Sequence, residues 1–299
     1  MELDLSKIPH FLAAAEYLNF TEAANRCYIT QSSLSKSIAS LEESLGFPLF
    51  VRGNRKVSLT VEGAYLYEEF SRINNSLNRM VTNAVNIHEG YNGSFSMAAC
   101  GYLPSNFVFQ RVTSSFVLNN PMFRFAIHQE TYPGLRTALM DDRVDVILTG
   151  SQNVATLRGI ETLVVEEGTP VLLCNPYCYP EHPDKLRIED FAKAKFLSVE
   201  SMDYQTFMLE VCDCYGIKPD ITIVSSLAEV IYHVGNMDYV TILDRVQYPI
   251  AETNLKVVRL TKKEDTPHLD LLLAWKQENK NPALRQYIRY VENELAKDE

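Results

Sequence analysis

Two periodicities, placed in succession along 299 residues, predict an α/β protein built in three parts. Residues 1–60 carry apolar positions at helical spacing in short blocks, each opened by a Ser or Thr. From Phe95 onward short apolar runs alternate with helical stretches. Between them a single apolar stripe runs from Leu66 to Ile87 without a break. The expected fold is α/β overall: an N-terminal winged helix-turn-helix, a long linker helix, and a C-terminal domain of two α/β lobes.

Ser6 is placed to cap a first helix, with Pro9 in the opening turn, where a missing N–H does little harm. Ile8, Phe11, Leu12, Ala15 and Leu18 give that helix one apolar face. Thr21 is expected to cap a short second helix, TEAANRC, in which Ala23 and Ala24 permit close packing. Tyr28 and Ile29 form a turn. Thr30 then caps a third helix that runs to about Leu45 and stops at Gly46, a residue suited to the left-handed position after a helix. The stretch FPLFVRGNRKVSLT reads as two short strands around Gly53-Asn54, with Arg52, Arg55 and Lys56 at the tip. Three short helices and a basic hairpin make a winged helix-turn-helix, a motif whose second paired helix enters the DNA major groove.

That helix has an unusual surface. Leu34, Ile38 and Leu41 form one apolar stripe, and around it lie Gln31, Ser32, Ser33, Ser35, Lys36, Ser37 and Ser40. A solvated face would carry better helix formers than serine. Short hydroxyls would instead let a helix sink into a groove. Gln31 could then pair with adenine N6 and N7, and Lys36 could reach phosphate or guanine. Ser32, Ser33 and Ser35 could donate to bases or phosphates. Thr21 and Thr30, at helix N-termini, suit phosphate contacts, as do Arg52, Arg55 and Lys56 on the wing.

Thr60 is expected to cap the fourth helix. Leu66, Phe70, Ile73, Leu77, Met80, Ala84 and Ile87 recur in steps of four and three, a sustained heptad seam. Its opposite face is polar and rich in Asn. The economical partner for such a seam is the same helix of a second subunit. Tyr91-Asn92-Gly93-Ser94 breaks the pattern. Beyond it the strand-like runs are FSMAAC, FRFAIHQ, VDVILTG, PVLLC, KFLSV, DITIV, YVTIL and LDLLLAW, with helical stretches at 104–118, 134–142, 203–215, 226–235 and 281–296. Alternation of this kind predicts parallel sheets with covering helices. The expected divisions are 1–59, 60–90 and 91–299, the last split into one lobe of about 93–165 with 267–299 and another of about 166–266.

Composition narrows the class. With 46% hydrophobic and 22% charged residues the chain is globular rather than disordered. MELDLSKIPHF does not resemble an export signal, and no window approaches a membrane span, so a cytoplasmic protein is expected. The net charge of −10 argues against indiscriminate coating of nucleic acid. Residues 1–60, however, balance Glu2, Asp4, Glu16, Glu22, Glu42 and Glu43 against Lys7, Arg26, Lys36, Arg52, Arg55 and Lys56. A neutral module can bind DNA only by gathering its cations on one face. Cys27, Cys100, Cys174, Cys178, Cys212 and Cys214 match no usual zinc spacing and read as plain thiols, with no metal or cofactor.

Residues 1–90 resemble the LysR-type transcriptional regulators, which share a pattern of the form F…AA..L..SQ..LS..I..LE..LG..LF.R…V.LT.EG. Here it reads Phe11, Phe20, Ala23-Ala24, Thr30-Gln31, Leu34-Ser35, Ile38, Leu41-Glu42, Leu45-Gly46, Leu49-Phe50, Arg52, Val57, Leu59-Thr60 and Gly63. The remainder resembles the family's periplasmic-binding-protein-like effector domain through NNPMFRF, ALMDDRVDVIL and VGNMDYVTIL. Departures are Cys27 for Leu, Ser32 for Pro, Lys36 for Arg, and Gly235-Asn236-Met237-Asp238 for a glycine-rich segment. Lysine cannot form the bidentate fork that arginine offers.

The resemblance implies a homodimer or homotetramer that binds an inverted-repeat operator in double-stranded DNA, contacts RNA polymerase, and senses a small effector between the lobes. Ligands of open α/β sheets lie at strand C-termini and helix N-termini. The matching positions are Gly101, Tyr102, Leu103 and Ser105, then Thr131 and Thr149, and in the second lobe Ser198, Glu200, Ser201, Ser225 and Asn236. Hydroxyls with exposed helix N–H groups favour a carboxylate; Glu130 and Glu200 would oppose one. A solute-binding protein for transport is the alternative suggested by two lobes alone, but a winged helix-turn-helix precedes them. An enzyme is not expected: HExxH, GxSxG, P-loop and GxGxxG are absent, and the six His do not cluster in sequence.

Overall fold

The computed structural model describes residues 4–52, 57–100, 107–200, 202–244, 254–260 and 266–297. The chain divides into two compact units, 1–85 with 140–143, and 86–139 with 144–299.

The first unit opens with a single 3-10 turn, Leu5–Lys7, followed by α1 (Ile8–Tyr17), α2 (Phe20–Arg26) and α3 (Gln31–Leu45). Two expected caps are corrected. Asp4, not Ser6, caps the opening turn, its carboxylate accepting from Ser6 N at 3.0 Å. Asn19, not Thr21, caps α2, accepting from Thr21 N and Glu22 N; Thr21 sits within the first turn. In each case a good capping residue stands two positions earlier, with its side chain placed to accept from the free N–H groups. Thr30 caps α3, and Gly46 ends it at φ +82°.

Strands β1 (Phe50–Arg52) and β2 (Val57–Leu59) pair antiparallel as a wing. A core of Phe11, Ala14, Ala23, Leu34, Ile38 and Leu41 closes under it, with Phe50 set edge-on to Phe11 and Phe20 at 5.8 and 5.3 Å. Glu42 Oε1 accepts from Leu49 N at 2.7 Å and Phe50 N at 3.2 Å, tying α3 to the wing. Thr60 N and Oγ1 both donate to Leu49 O, and Thr60 Oγ1 accepts from Gly63 N at 2.9 Å, which starts α4 (Val61–His88). A Cβ on Gly63 would lie 2.1 Å from Leu49 O, so only glycine permits this approach.

In the second unit one sheet has the order β4-β3-β5-β12-β6: β3 (Gly93–Ala99), β4 (Phe123–Gln129), β5 (Val146–Gly150), β6 (Ile160–Glu166) and β12 (Leu271–Lys276). Helices α5 (Phe107–Asn119), α6 (Tyr132–Met140) and α9 (Pro282–Leu295) belong to this lobe's sequence. The other sheet has the order β11-β7-β10-β8-β9: β7 (Pro170–Cys174), β8 (Lys195–Val199), β9 (Asp220–Val224), β10 (Tyr239–Asp244) and β11 (Lys256–Arg259), with α7 (Met202–Cys214) and α8 (Leu227–Asn236).

Both sheets are mixed rather than parallel. β3, β4 and β5 run together, while β12 is antiparallel to β5 and β6; in the second sheet β7 alone opposes the parallel set β10-β8-β9, and β11, antiparallel to β7, runs with that set. The physical cause is the crossover. The chain leaves the first sheet after β6 and rejoins it as β12, entering from the opposite end. β6 and β11 lie at sheet edges and escaped the sequence reading. Charged residues interrupt or bound both of them (Glu161 and Glu166, Lys256 and Arg259), so neither shows the continuous apolar run that marks a buried parallel strand.

Candidate functional site

The exposed face of α3 is the first candidate. Leu34, Ile38 and Leu41 are fully buried and fix the helix to its core. Gln31, Ser32, Ser33 and Lys36 are exposed, and Ser35 is half-buried. Thr30 Oγ1 accepts from Ser33 N at 3.2 Å and lies 3.0 Å from Ser32 Oγ, so the first turn is held rigid with Gln31 projecting from it. The hydroxyl-rich surface is therefore two surfaces. Ser37 Oγ is 2.8 Å from His10 Nδ1, and Ser40 Oγ accepts from Lys7 Nζ at 2.7 Å. Those two serines hold the N-terminal helix rather than face outward. Thr21 is exposed on the first turn of α2. Arg52 lies on β1 opposite Val57, and Arg55 and Lys56 fall outside the described residues.

The seam on α4 is divided. Leu66 and Phe70 pack against the winged core, Phe70 edge-on to Phe11 at 6.2 Å. Both are partly buried there, at the winged end of the stripe. Ile73, Leu77, Met80 and Ile87 are 60%, 56%, 64% and 65% exposed, and Ala84 is exposed as well. On the polar side Asn75 Nδ2 donates to Asp141 O, and Arg79 pairs with Asp142 at 3.0 Å. The Asn-rich face is thus occupied by the 140–143 turn, and the apolar one is left open.

The second candidate lies at the strand C-termini of the two lobes. β3, β4 and β5 end on one edge of their sheet, and β8, β9 and β10 end on one edge of theirs. The crossovers join these edges. Asp244, at the end of β10 and fully buried, accepts from Thr169 N and Leu269 N, each at 2.9 Å. Ser151 N, just past β5, donates to Asp270 O at 2.9 Å.

Several expected effector residues are engaged in their own elements. Thr131 Oγ1 accepts from Gly134 N at 3.1 Å and so caps α6. Thr149 is fully buried, with Asn153 Nδ2 donating to its hydroxyl at 3.0 Å. Ser225 donates to Glu229 Oε2 at 2.8 Å, and Asn236 Nδ2 donates to Tyr232 O. The hydrogen bonds from Ser225 hold the Glu229 carboxyl below its ordinary range. Glu200 is exposed. Gly101, Tyr102, Leu103, Ser105 and Ser201 lie outside the described residues.

Two groups on these edges differ from the rest. Ser198 Oγ, at the end of β8, and Gln152 Oε1, in the turn after β5, are buried polar atoms with no hydrogen-bond partner. Such atoms cost stability unless something satisfies them. Gln152 was missed in the sequence, where only its position behind Thr149-Gly150 hints at it.

Burial pushes the Cys100, Cys174 and Cys212 thiols up to about 12, with Glu130 adding to the effect at Cys100. These are neutral at physiological pH and poor nucleophiles. Among the described residues no group of three or more His, Cys, Asp and Glu side chains could hold a metal ion, and no helix is long and apolar enough to cross a membrane.

The chain matches two family models: "Bacterial regulatory helix-turn-helix protein, lysR family" over residues 5–64, and "LysR substrate binding domain" over 88–296. It is 25% identical over 309 residues to the Hca operon transcriptional activator HcaR of Escherichia coli (strain K12), covering 98% of this chain and 99% of that one. It is 28% identical over 173 residues to the SDS degradation transcriptional activation protein of Pseudomonas sp. (strain ATCC 19151), a match covering 58% of this chain and little more than half, 56%, of that relative. In fold it is similar to full-length CbnR complexed with its target DNA, with a TM-score of 0.74 at 17% identity, covering 97% of this chain and 99% of that one.

Proposed function

The chain belongs to the LysR-type transcriptional regulators, and from that premise we propose how its own residues read DNA and sense an effector. Gln31 and Lys36 approach base edges and phosphate from the exposed first turns of α3, and Ser32, Ser33 and Ser35 keep that approach short. Thr21, Thr30 and the wing residues Arg52, Arg55 and Lys56 contact the phosphate backbone. The observation that carries this reading is the division of the α3 serines. Those facing the core bind Lys7 and His10, and those facing outward are exposed around Gln31 and Lys36.

A module with no net charge binds weakly alone, so specific affinity requires two copies. Ile73, Leu77, Met80, Ala84 and Ile87 on α4 supply the dimer face, and two recognition helices then address successive major grooves of an inverted repeat. Effector domains pair dimers into tetramers. The effector is a small carboxylate that also carries a hydroxyl or amine, held at the strand C-termini of the two lobes in the cytoplasm, where the orphaned Ser198 hydroxyl can donate to its carboxylate and the orphaned Gln152 carbonyl can accept from its donor group. Its binding shifts the assembly's geometry on DNA and its contact with RNA polymerase, driven by differential affinity for two conformations. Transport is not retained as a reading, because the family match spans the helix-turn-helix as well as the lobes.

The decisive experiment is a gel shift against the region upstream of the protein's own gene. Specific binding is expected for the native chain and is expected to be lost when Gln31→Ala and Lys36→Ala are combined. Retention of specific binding by that variant sinks the readout. A thermal-shift screen of small carboxylates identifies the effector, since a ligand binding only the folded state raises its stability. In that screen a Ser198→Ala variant should lose most of the shift.

A further inference from the structure

The effector reading uses the strand C-termini; a separate groove lies at the other end of the first lobe. β12 runs antiparallel to β5, so Leu271 sits beside Gly150 at the cleft edge and Trp275 sits beside Val146 at the opposite edge. There Trp275 and Glu161 of β6 are register partners, and the indole N–H donates to Glu161 Oε2 at 2.9 Å. Helix α9 crosses above them. Its Leu284 and Ile288 are buried toward the sheet, and Arg285 and Arg289, one turn apart, are exposed beside them. Together these residues line a groove of about 360 Å³, within the size range of small-molecule sites.

Its charges are unusual. Neither guanidinium has an ion-pair or side-chain hydrogen-bond partner among the described residues. Glu292, which also lines the groove, stands three residues after Arg289 without pairing to it, the less favourable order for such a pair on a helix. With Glu161 the groove presents two cations and two anions, and its apolar surface is chiefly the half-buried indole of Trp275, with Leu284 and Ile288 buried beneath. A simple anion would meet two carboxylates along with its arginines. A ligand carrying one charge of each sign would satisfy both sets.

We propose that this groove is a second small-molecule site, which binds a free amino acid with a large apolar side chain. The ligand's carboxylate takes the Arg285–Arg289 pair, whose planar forks suit it. Its ammonium lies between Glu161 and Glu292, and its side chain covers the indole of Trp275. Occupation would be independent of the cleft, so failure here leaves the effector reading intact.

Trp275 is the sole tryptophan of the chain, so its emission reports on this groove alone. Titration of the full-length protein with L-phenylalanine should give a saturable change. Phenethylamine and phenylpropionate, each lacking one charge, should bind at least about tenfold more weakly, a loss of one charged contact. The R285A/R289A double variant should also bind about tenfold more weakly, with its melting temperature unchanged because both side chains are exposed. Absence of a saturable response up to about 10 mM overturns the proposal, since any useful site would show there. So does equal binding of either analogue, or undiminished affinity in the double variant.

Discussion

Replacing Leu77 of α4 with alanine tests whether the open seam is an interface between copies of the chain. Leu77 is 56% exposed, and its neighbours on the stripe, Ile73, Met80 and Ile87, are 60–65% exposed. Fully burying such a side chain is worth about 1.5–3 kcal/mol, so removing the remaining exposed half contributes about 1–1.5 kcal/mol. A two-fold interface holds each residue twice. The change should therefore cost roughly 2–3 kcal/mol of association, raising the dimer dissociation constant about 30- to 150-fold. Sedimentation equilibrium on the full-length chain measures it directly. Leu66→Ala is the matched control: Leu66 packs into the winged core, so its loss should lower the melting temperature and leave association untouched. If Leu77→Ala dimerises as tightly as the native chain, or if Leu66→Ala weakens association equally, the seam is not the interface.

Two further outcomes follow from the structure. Gly63→Ala places a Cβ 2.1 Å from Leu49 O, so α4 must shift away from the wing; the expected loss is about 1–3 kcal/mol, with DNA binding weakened too. Gly46→Ala meets no atom within 4 Å but holds φ +82°, and should cost only about 1 kcal/mol from backbone strain; urea denaturation that ranks them equal would refute the close-approach argument. The buried thiols predict alkaline instability. Cys100, Cys174 and Cys212 titrate near 12 when folded and near 9 when unfolded, so the unfolded chain loses those protons first. Their contribution is constant below pH 9 and lost from there toward pH 12, at about 1.4 kcal/mol per thiol per pH unit. A C100S/C174S/C212S variant should show a shallower decline in melting temperature over that range, and an unchanged slope would contradict the assignment.

How far the fold could be read before it was seen depended on whether each question was local. Thr30 and Gly46 delimit α3 through contacts within a few residues, and both were readable. The caps at Asn19 and Asp4 were not, because each competes with a second capping residue two positions on and only geometry decides between them. Periodicity reports that a face is apolar but not what covers it. Leu66 and Ile73 occupy equivalent heptad positions, yet one enters the winged core and the other stays exposed. The α3 serines pose the same problem in polar form: Ser40 and Ser37 find partners 33 and 27 residues away, which no spacing rule encodes.

The effector residues were the least legible for a related reason. A Thr or Ser after a strand is equally suited to capping the next helix and to binding a ligand, and here Thr131 caps while Ser225 supports the helix through Glu229. What separates a ligand contact from a cap is whether the group is already satisfied. By that measure Ser198 and Gln152 carry more weight than the hydroxyls whose hydrogen bonds are accounted for. If an effector does satisfy them, the gain on binding includes relief of two buried unpaired groups, roughly 1–3 kcal/mol each. Ser198→Ala should then stabilise the free protein slightly while weakening the effector. A purely structural serine would show neither that opposition of sign nor any dependence on ligand.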